Sequence, residues 1–335
     1  MRTRDIVAML LLAAGLAAPI HSQTDGSATD DATWQRYQHI ISTSTLEWSP
    51  TQPFLLKVDY QLYDLNGKPG VSGTAEESWT QTDGRRIHIH SPSIHVGDDS
   101  SADRAKTFTR ESYLVSQAIR AIARPFPSAT ERKDFAMGEF RQPIGGSDVR
   151  CFSLVVPGTA RKPDAPAYCT DIDNHIVAMI GSWFVLERSD FREFRGHQIP
   201  AELKLSYENK PALTMHVTEL DPLPDTPLKS NTKPIAVTAE QVPAETIAAL
   251  ALKHKGPSYP GLARAAHIKG TVILIAAISK EGLITDLDAL ASPDAILTKS
   301  AEDAVRKWTY QPYILNGTPT ELETTIMVNY SIGDK

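Results

Sequence analysis

The residues best suited to chemistry are three histidines in the stretch RRIHIHSPSIH. His88 and His90 are two positions apart, so on a strand they would lie on one face, and His95 follows nearby. Two imidazoles on one face can bind zinc or copper. No cysteine or carboxylate accompanies them at a ligand spacing, and an exposed strand accommodates histidine equally well. Because three ligands on a strand and a loop do not define a geometry, we predict no metal and no other cofactor.

Motifs for catalysis are absent from the sequence. It contains no Gly-x-Ser-x-Gly, no His-Glu-x-x-His and no glycine loop of the phosphate-binding kind. The stretch FVLERSDFREFRG alternates charged and aromatic residues, which indicates a solvated edge or a short helix. Arg188, Arg192 and Arg195 in that stretch could contact lipid head groups. We therefore predict a binding protein and not an enzyme.

The first residues have the layout of an export signal. Two arginines precede an apolar run, and small and polar residues follow, so residues 1–22 are predicted to be a signal peptide. The alternative is an uncleaved membrane anchor, although the run is shorter than the roughly 20 residues that a spanning helix prefers. Export would place Cys151 and Cys169, the chain's two cysteines, in an oxidising compartment. A disulfide between them, worth about 3 kcal/mol, is the prediction.

Length and charge set the broad class. The chain has 335 residues, which favours two domains, and a net charge of −6 with both signs mixed throughout. Nucleic-acid binding requires a concentrated basic surface, and none is evident. We predict no nucleic-acid partner.

Short strand-like runs fill the first predicted domain, residues 34–220. Turn residues separate the runs, and Asp83-Gly84 marks one hairpin. The exception is RESYLVSQAIRAIARPFP, where apolar residues recur at helical spacing until Pro125. The sequence predicts a curved antiparallel sheet, like a half-barrel, with one helix packed in its concave side. The overall class is α+β.

A proline-rich linker, residues 221–245, leads to a second domain at residues 246–335. We expect a helix in ETIAALALKHK, a short helix after Pro260, a hairpin around KEG, and a helix in PDAILTKSAEDAVRKWTY with Ser300 capping its second part. The stretch ELETTIMVNYSI alternates apolar and polar residues and predicts a final strand.

The last ninety or so residues resemble the C-terminal domain of the TonB energy-transducer family. The resemblance rests on an ordered series of positions, each of which also has a structural explanation. Its main members are Tyr259, Pro260, Gly270, Trp308, Tyr310 and Gly317.

The resemblance implies how the domain would function. In this family a short peptide of an outer-membrane transporter adds a strand beside the small sheet. The last strand is the expected edge for this pairing with a transporter or other envelope protein, or for pairing with a second copy in a homodimer. Its residues are Glu323, Thr324, Thr325, Ile326, Met327, Val328, Asn329 and Tyr330.

More faintly, the first domain resembles the half-barrels of periplasmic lipoprotein carriers. This resemblance implies a cavity for an apolar or lipid ligand, while an ordinary packed core is the alternative. The leading hypothesis is an exported periplasmic binding protein with a TonB-like module and a lipid-binding sheet. Two alternatives are a TonB-type transducer anchored in the inner membrane and a periplasmic lipid or lipoprotein carrier.

Overall fold

The computed structural model describes most of the chain. The described residues are 31–46, 52–81, 84–93, 95–96, 108–123, 136–155, 166–181, 183–224, 240–241 and 247–332. The predicted signal peptide lies outside them, as does most of the predicted linker. The fold is α+β, as predicted, with a large antiparallel sheet followed by a small one.

Eleven strands form the large sheet, in the order β4-β3-β2-β1-β11-β10-β9-β8-β7-β6-β5. Their bounds are β1 Phe54–Tyr63, β2 Pro69–Thr80, β3 Gly84–His90, β4 His95–Val96, β5 Ala136–Ile144, β6 Ser147–Val155, β7 Ala167–Thr170, β8 Ile176–Ile180, β9 Phe184–Phe194, β10 His197–Tyr207 and β11 Lys210–Pro222. Strands that are neighbours along the chain pair as a meander, except that β4 and β5 lie at opposite edges of the sheet and β1 pairs with β11. The predicted meander is confirmed.

The predicted helix, α2 (Arg110–Ala123), packs on the sheet's apolar inner face. Strand β4 ends at one edge of the sheet and β5 begins at the other, so the chain must cross the sheet between them. Helix α2 lies in that crossing. Leu114, Ala118, Ile119 and Ile122 recur at helical spacing and are buried against the strands.

A second helix, α1 (Asp31–Thr43), corrects the prediction of one packed helix. Its side chains Tyr37 and Ile40 are buried with Phe152 and Ile176. After the helix, the Thr45 hydroxyl and the Leu46 N–H both donate to the carbonyl of Ala123 at the end of α2. Its short apolar stripe gave little sequence signal, so packing on the sheet accounts for this helix.

The small sheet has the order β12-β19-β14-β15. The elements of this part of the chain are β12 Glu240–Gln241, β13 Ala251–Lys253, α3 Gly261–Ala265, β14 Gly270–Ile278, β15 Ile284–Ala291, α4 Ala295–Val305, β16 Thr309–Tyr310, β17 Ile314–Leu315, β18 Thr318–Pro319 and β19 Leu322–Tyr330. Short strands pair outside this sheet, β13 with β16 and β17 with β18.

Two local predictions in this region are wrong. Ala251–Lys253 forms strand β13, not a helix, because pairing with β16 overrides the helical pattern of the segment. Helix α4 is continuous, and its cap is Asp294, whose carboxylate accepts the Ile296 N–H at 2.7 Å. Ser300 instead donates to the carbonyl of Ser258 at 2.8 Å.

The two sheets share an apolar core. Ile273, Ile275, Leu290 and Ala291 of the small sheet belong to the same buried cluster as the inner face of the large sheet. Alternate residues of β14 face the other way and pack with α4. Strand β14 of the small sheet is therefore covered on both faces.

Polar contacts reinforce this junction at the start of α2. The backbone N–H of Arg110 donates to the Asp288 carboxylate at 2.7 Å, and its side chain donates to the carbonyls of Leu290 and Tyr63. Lys210 donates to the carbonyl of Ser292 at 3.1 Å. Buried backbone carbonyls of both sheets are satisfied in this way.

The predicted disulfide is confirmed. Cys151 on β6 and Cys169 on β7 lie directly opposite each other in the register and are bonded. The bond links β6 to β7 at paired positions, so it closes the loop that connects the two strands.

Candidate partner-binding edge

Strand β19 lies second from one edge of the small sheet, between β14 and the two-residue strand β12. Strand β14 pairs with it along one side, from Gly270 opposite Tyr330 to Ile278 opposite Leu322. On the other side, β12 pairs in parallel with Leu322 and Glu323 and reaches no farther. From residue 324 onwards, no strand within the described part of the chain pairs with this side of β19.

The side chains of β19 alternate as predicted. Leu322, Thr324, Ile326, Val328 and Tyr330 are buried on the face towards α4. On the opposite face Glu323 and Thr325 are half-buried, Asn329 is exposed, and Met327 is 42% exposed. The edge thus combines a stretch that no described strand pairs with and one exposed apolar side chain.

A groove of about 260 Å³ runs beside this part of β19. Thr325, Ile326 and Met327 form its strand side. The other side consists of Ile247, Ala248, Ala251, His254, Trp308 and Tyr310. A strand added to β19 could place alternate side chains in a groove of this kind.

Aromatic packing fixes the far side of the groove. The Trp308 ring lies 3.8 Å from the His254 ring, centroid to centroid, and its indole N–H donates to the carbonyl of Lys255 at 2.8 Å. Burial raises the pKa of Tyr310 to about 12, so its hydroxyl is protonated at neutral pH. The surface beside β19 is therefore mainly apolar and partly aromatic.

The other motif residues lie outside the groove. Tyr259 packs edge-to-face on Tyr330 at 5.5 Å and donates to the carbonyl of Ile268 at 2.5 Å. Pro260 is the N-cap residue of α3. Gly270 has φ 140° beside Pro293, and Gly317 has φ 80° in the turn between β17 and β18. Their contacts are structural, whereas Trp308 and Tyr310 also line the groove.

Comparison with known proteins agrees with this geometry. Residues 255–332 match the family model described as Gram-negative bacterial TonB protein C-terminal. The resemblance predicted from the motif residues is thereby confirmed, and we call residues 255–332 the TonB-type segment.

Solved structures match both parts of the chain. The solution NMR structure of the Pseudomonas aeruginosa TonB C-terminal domain is 28% identical, with 25% of this chain and 87% of that chain covered and a TM-score of 0.23. A LolA superfamily protein from Nitrosomonas europaea is 10% identical, with 56% and 94% covered and a TM-score of 0.33. A DUF1329 family protein from Desulfovibrio piger is 8% identical, with 60% and 95% covered and a TM-score of 0.34. No curated protein matches the chain.

These likenesses concern fold alone. The likeness of the large sheet to lipoprotein-carrier half-barrels, predicted from the sequence, is found again among them. They name no ligand for this chain. Among the described helices, none is long and apolar enough to cross a membrane.

The histidines suggested as metal ligands lie far along the chain from the TonB-type segment, in the large sheet. His88 and His90 are on β3, and the backbone of His95 on β4 pairs with that of His90. The His95 side chain lies outside the described part of the structure. Within the described residues, no group of three candidate ligands includes these histidines.

A different group of candidate ligands lies in the turn before β8. Side-chain ligand atoms of Asp171, Asp173 and His175 lie within 4.8 Å of one another. One carboxylate oxygen of Asp171 accepts the backbone N–H groups of Asp173 and His175, and the other lies 2.9 Å from His175 Nδ1. The His175 ring stacks on Phe191 at 4.6 Å. These contacts explain why the three side chains lie close together, because they hold the backbone in a turn.

The three arginines suggested for lipid head groups have different environments. Arg192 is exposed and pairs with Asp190 at 3.0 Å, and Arg195 donates to the carbonyl of Pro53. Arg188 is only 2% exposed. The sequence could not separate them, because all three follow the same alternation of charged and aromatic residues.

Proposed function

We propose that this protein is an exported, non-enzymatic binding protein of the cell envelope whose TonB-type segment binds a partner by strand addition. The observation that carries the proposal is the side of β19 beyond Thr324, which has no strand beside it in the described residues and borders an apolar groove. An extended peptide of an outer-membrane transporter, or of another envelope protein, would pair with this strand. Its apolar side chains would enter the groove beside Met327.

A binding measurement tests this proposal. Fluorescently labelled peptides from the periplasmic ends of outer-membrane transporters are titrated with the full chain, and anisotropy is recorded. Met327→Lys places a charge at the groove and is expected to weaken binding at least tenfold. The matched control is Leu262→Lys, because Leu262 is 75% exposed on α3 and does not line the groove. Equal binding by the two variants would refute the proposed site.

The same edge could instead pair with a second copy of the chain. Two copies of β19 would then form a continuous sheet, and the partner peptide would compete with the dimer. Light scattering over a range of protein concentrations distinguishes the cases. A dimer that Met327→Lys dissociates would favour the homodimer, while a monomer at all concentrations would exclude it.

The cellular location follows from the same proposal. We place the mature protein in the periplasm, with residues 1–22 removed; the alternative is a transducer that keeps them as an inner-membrane anchor. N-terminal sequencing of the mature protein distinguishes the two. A first residue near Gln23 supports the periplasmic protein, and an intact Met1 supports the anchored one.

For the large sheet we propose a second role, the binding of an apolar or lipid ligand. It is favoured by the arrangement of two helices, α1 and α2, on the apolar inner face of one curved sheet. Helices laid on a sheet can separate from it more readily than strands within it, since no backbone ladder joins them. Mass spectrometry of lipids that copurify with the protein tests this role, and a lipid-free protein purified from the periplasm of its native host would count against it.

A further inference from the structure

Arg188 lies on the inner face of the large sheet. It is on β9 two residues after Leu186 and directly opposite Leu203 of β10, and both leucines belong to the buried core. Because side chains alternate along a strand, Arg188 points to the same side. A charged side chain therefore interrupts the apolar inner face.

Among the described residues, the guanidinium of Arg188 has no hydrogen-bond acceptor. None of its three nitrogen atoms has a hydrogen-bond partner within the described structure, and the ring of Phe191 lies 6.0 Å from the guanidinium carbon. Other buried charges differ. The Glu111 carboxylate accepts the hydroxyls of Tyr60 and Ser93, each at 2.7 Å, and Glu77 pairs with Arg85 at 2.7 Å.

A buried guanidinium without a hydrogen-bond partner raises the free energy of the folded state. Burial lowers the pKa of Arg188 to about 9, so the group is still charged at neutral pH. Native proteins place such costly groups mainly where function uses them. The planar fork of a guanidinium matches the paired oxygen atoms of a carboxylate or a phosphate.

The surroundings of Arg188 indicate the rest of the ligand. Met179 lies opposite Leu186 in the sheet and contacts both apolar clusters of the inner face, the one beneath α1 and the one beneath α2. On β9, Arg188 comes two residues after Leu186, and its side chain is the next one that points to the inner face. An anion bound here would have apolar side chains on both sides, which suits an acyl chain.

We propose that Arg188 binds the anionic head group, a carboxylate or a phosphate, of an acyl-chain ligand held on the inner face of the large sheet. This inference rests on the proposed apolar-ligand role of that sheet and adds its head-group chemistry. Since the guanidinium is covered, the ligand reaches it when a helix shifts. Helix α1 is the candidate, because its Tyr37 packs on Phe152 of the inner face, 5.3 Å between ring centroids.

The test compares three ligands with the same chain: oleate, oleyl phosphate and the neutral oleyl alcohol. Each is titrated into the delipidated full-length protein by calorimetry. We expect one of the two anions to bind at least tenfold more tightly than the alcohol, and the tighter anion identifies the head group. Arg188→Met should abolish this preference, whereas Arg192→Met, at an exposed position of the same strand, should keep it.

Ligand-free stability gives a second measurement. Arg188→Met removes an unpaired charge, so the variant should unfold at a higher urea concentration than the wild type. A less stable variant would mean that the guanidinium has a structural partner, and this result would overturn the proposal.

The outcomes separate the head-group inference from the ligand role. Equal binding of anions and alcohol by the wild type would overturn the role of Arg188 and leave apolar binding intact, and this comparison needs no variant to fold. Binding of none of the three ligands would overturn both. An anion preference that survives Arg188→Met would assign the head group to another residue.

Discussion

Gly282 occupies the turn between β14 and β15 with φ 80°, a conformation that glycine adopts readily. Its α-carbon faces the backbone carbonyl of Tyr310, and the Tyr310 N–H donates to the carbonyl of Gly282 at 2.8 Å. The turn of the hairpin is thus held against a residue that lines the groove. Sequence analysis predicted a turn at Gly282, but not this contact, because the two residues are distant along the chain.

Replacing Gly282 by alanine should be far more costly than replacing Gly317. Both have φ 80°, but a β-carbon at Gly282 would meet the Tyr310 carbonyl, while one at Gly317 would meet nothing within 4 Å. We expect about 3 to 5 kcal/mol of destabilisation for Gly282→Ala and about 1 to 2 kcal/mol for Gly317→Ala. Urea unfolding measures both, and equal losses would contradict the contact.

Arg188 carries a prediction about pH. In the folded state the pKa of Arg188 is lowered to about 9. Below pH 9 the side chain is therefore protonated in both the folded and the unfolded state, and the free-energy cost of burying its charge is fully present. Above pH 9 the unfolded chain binds more protons than the folded chain, and stability relative to Arg188→Met rises by up to about 1.4 kcal/mol per pH unit. Urea unfolding at pH 7, 9 and 10 should show that the difference in unfolding free energy between the wild type and Arg188→Met becomes smaller at pH 10. A constant gap would show that the side chain is not desolvated.

At the scale of elements, the sequence predicts those strands and helices whose apolar residues recur with a regular strand or helix period. Strand β19 and helices α2 and α4 follow clear periods, and the structure contains all three. Helix α1 and strand β13 were missed because contacts with distant residues stabilise them: Tyr37 packs on Phe152, and Ala251 pairs with Tyr310. Local sequence carries little information on such contacts.

The disulfide between β6 and β7 is expected to stabilise the fold measurably. Its cysteines are separated by 18 positions, for which closing the loop contributes about 3 kcal/mol. The double variant Cys151→Ala, Cys169→Ala should lose this amount in urea unfolding. Dithiothreitol should lower the stability of the wild type to that of the variant and leave the variant unchanged. A wild type indifferent to the reductant would contradict the prediction.

At the scale of the whole molecule, the two sheets are joined by a common core. The run GTVILIAAI of β14 is apolar at nearly every position, a pattern typical of strands covered on both faces. This signal was present in the sequence, but the sequence could not say what covers the second face. The covering surface is the inner side of the large sheet with α2, through Ile273 and Ile275.

The shared core predicts that the two sheets unfold together. Ile275→Ala opens a cavity at their junction and should cost about 2 to 4 kcal/mol. Hydrogen exchange should then accelerate equally in β1, β11 and β14. The control is Leu274→Ala, which faces α4 and should affect mainly the small sheet. Loss of protection confined to the small sheet in both variants would indicate two independent folding units.

The central claim, partner binding at β19, is tested most directly by amide hydrogen exchange of the full chain with and without a transporter peptide. Strand addition would protect the outward-facing amides of residues 324–330, while residues 270–278 of β14, already paired on both sides, would change little. Bound peptide with no added protection in residues 324–330 would contradict the account.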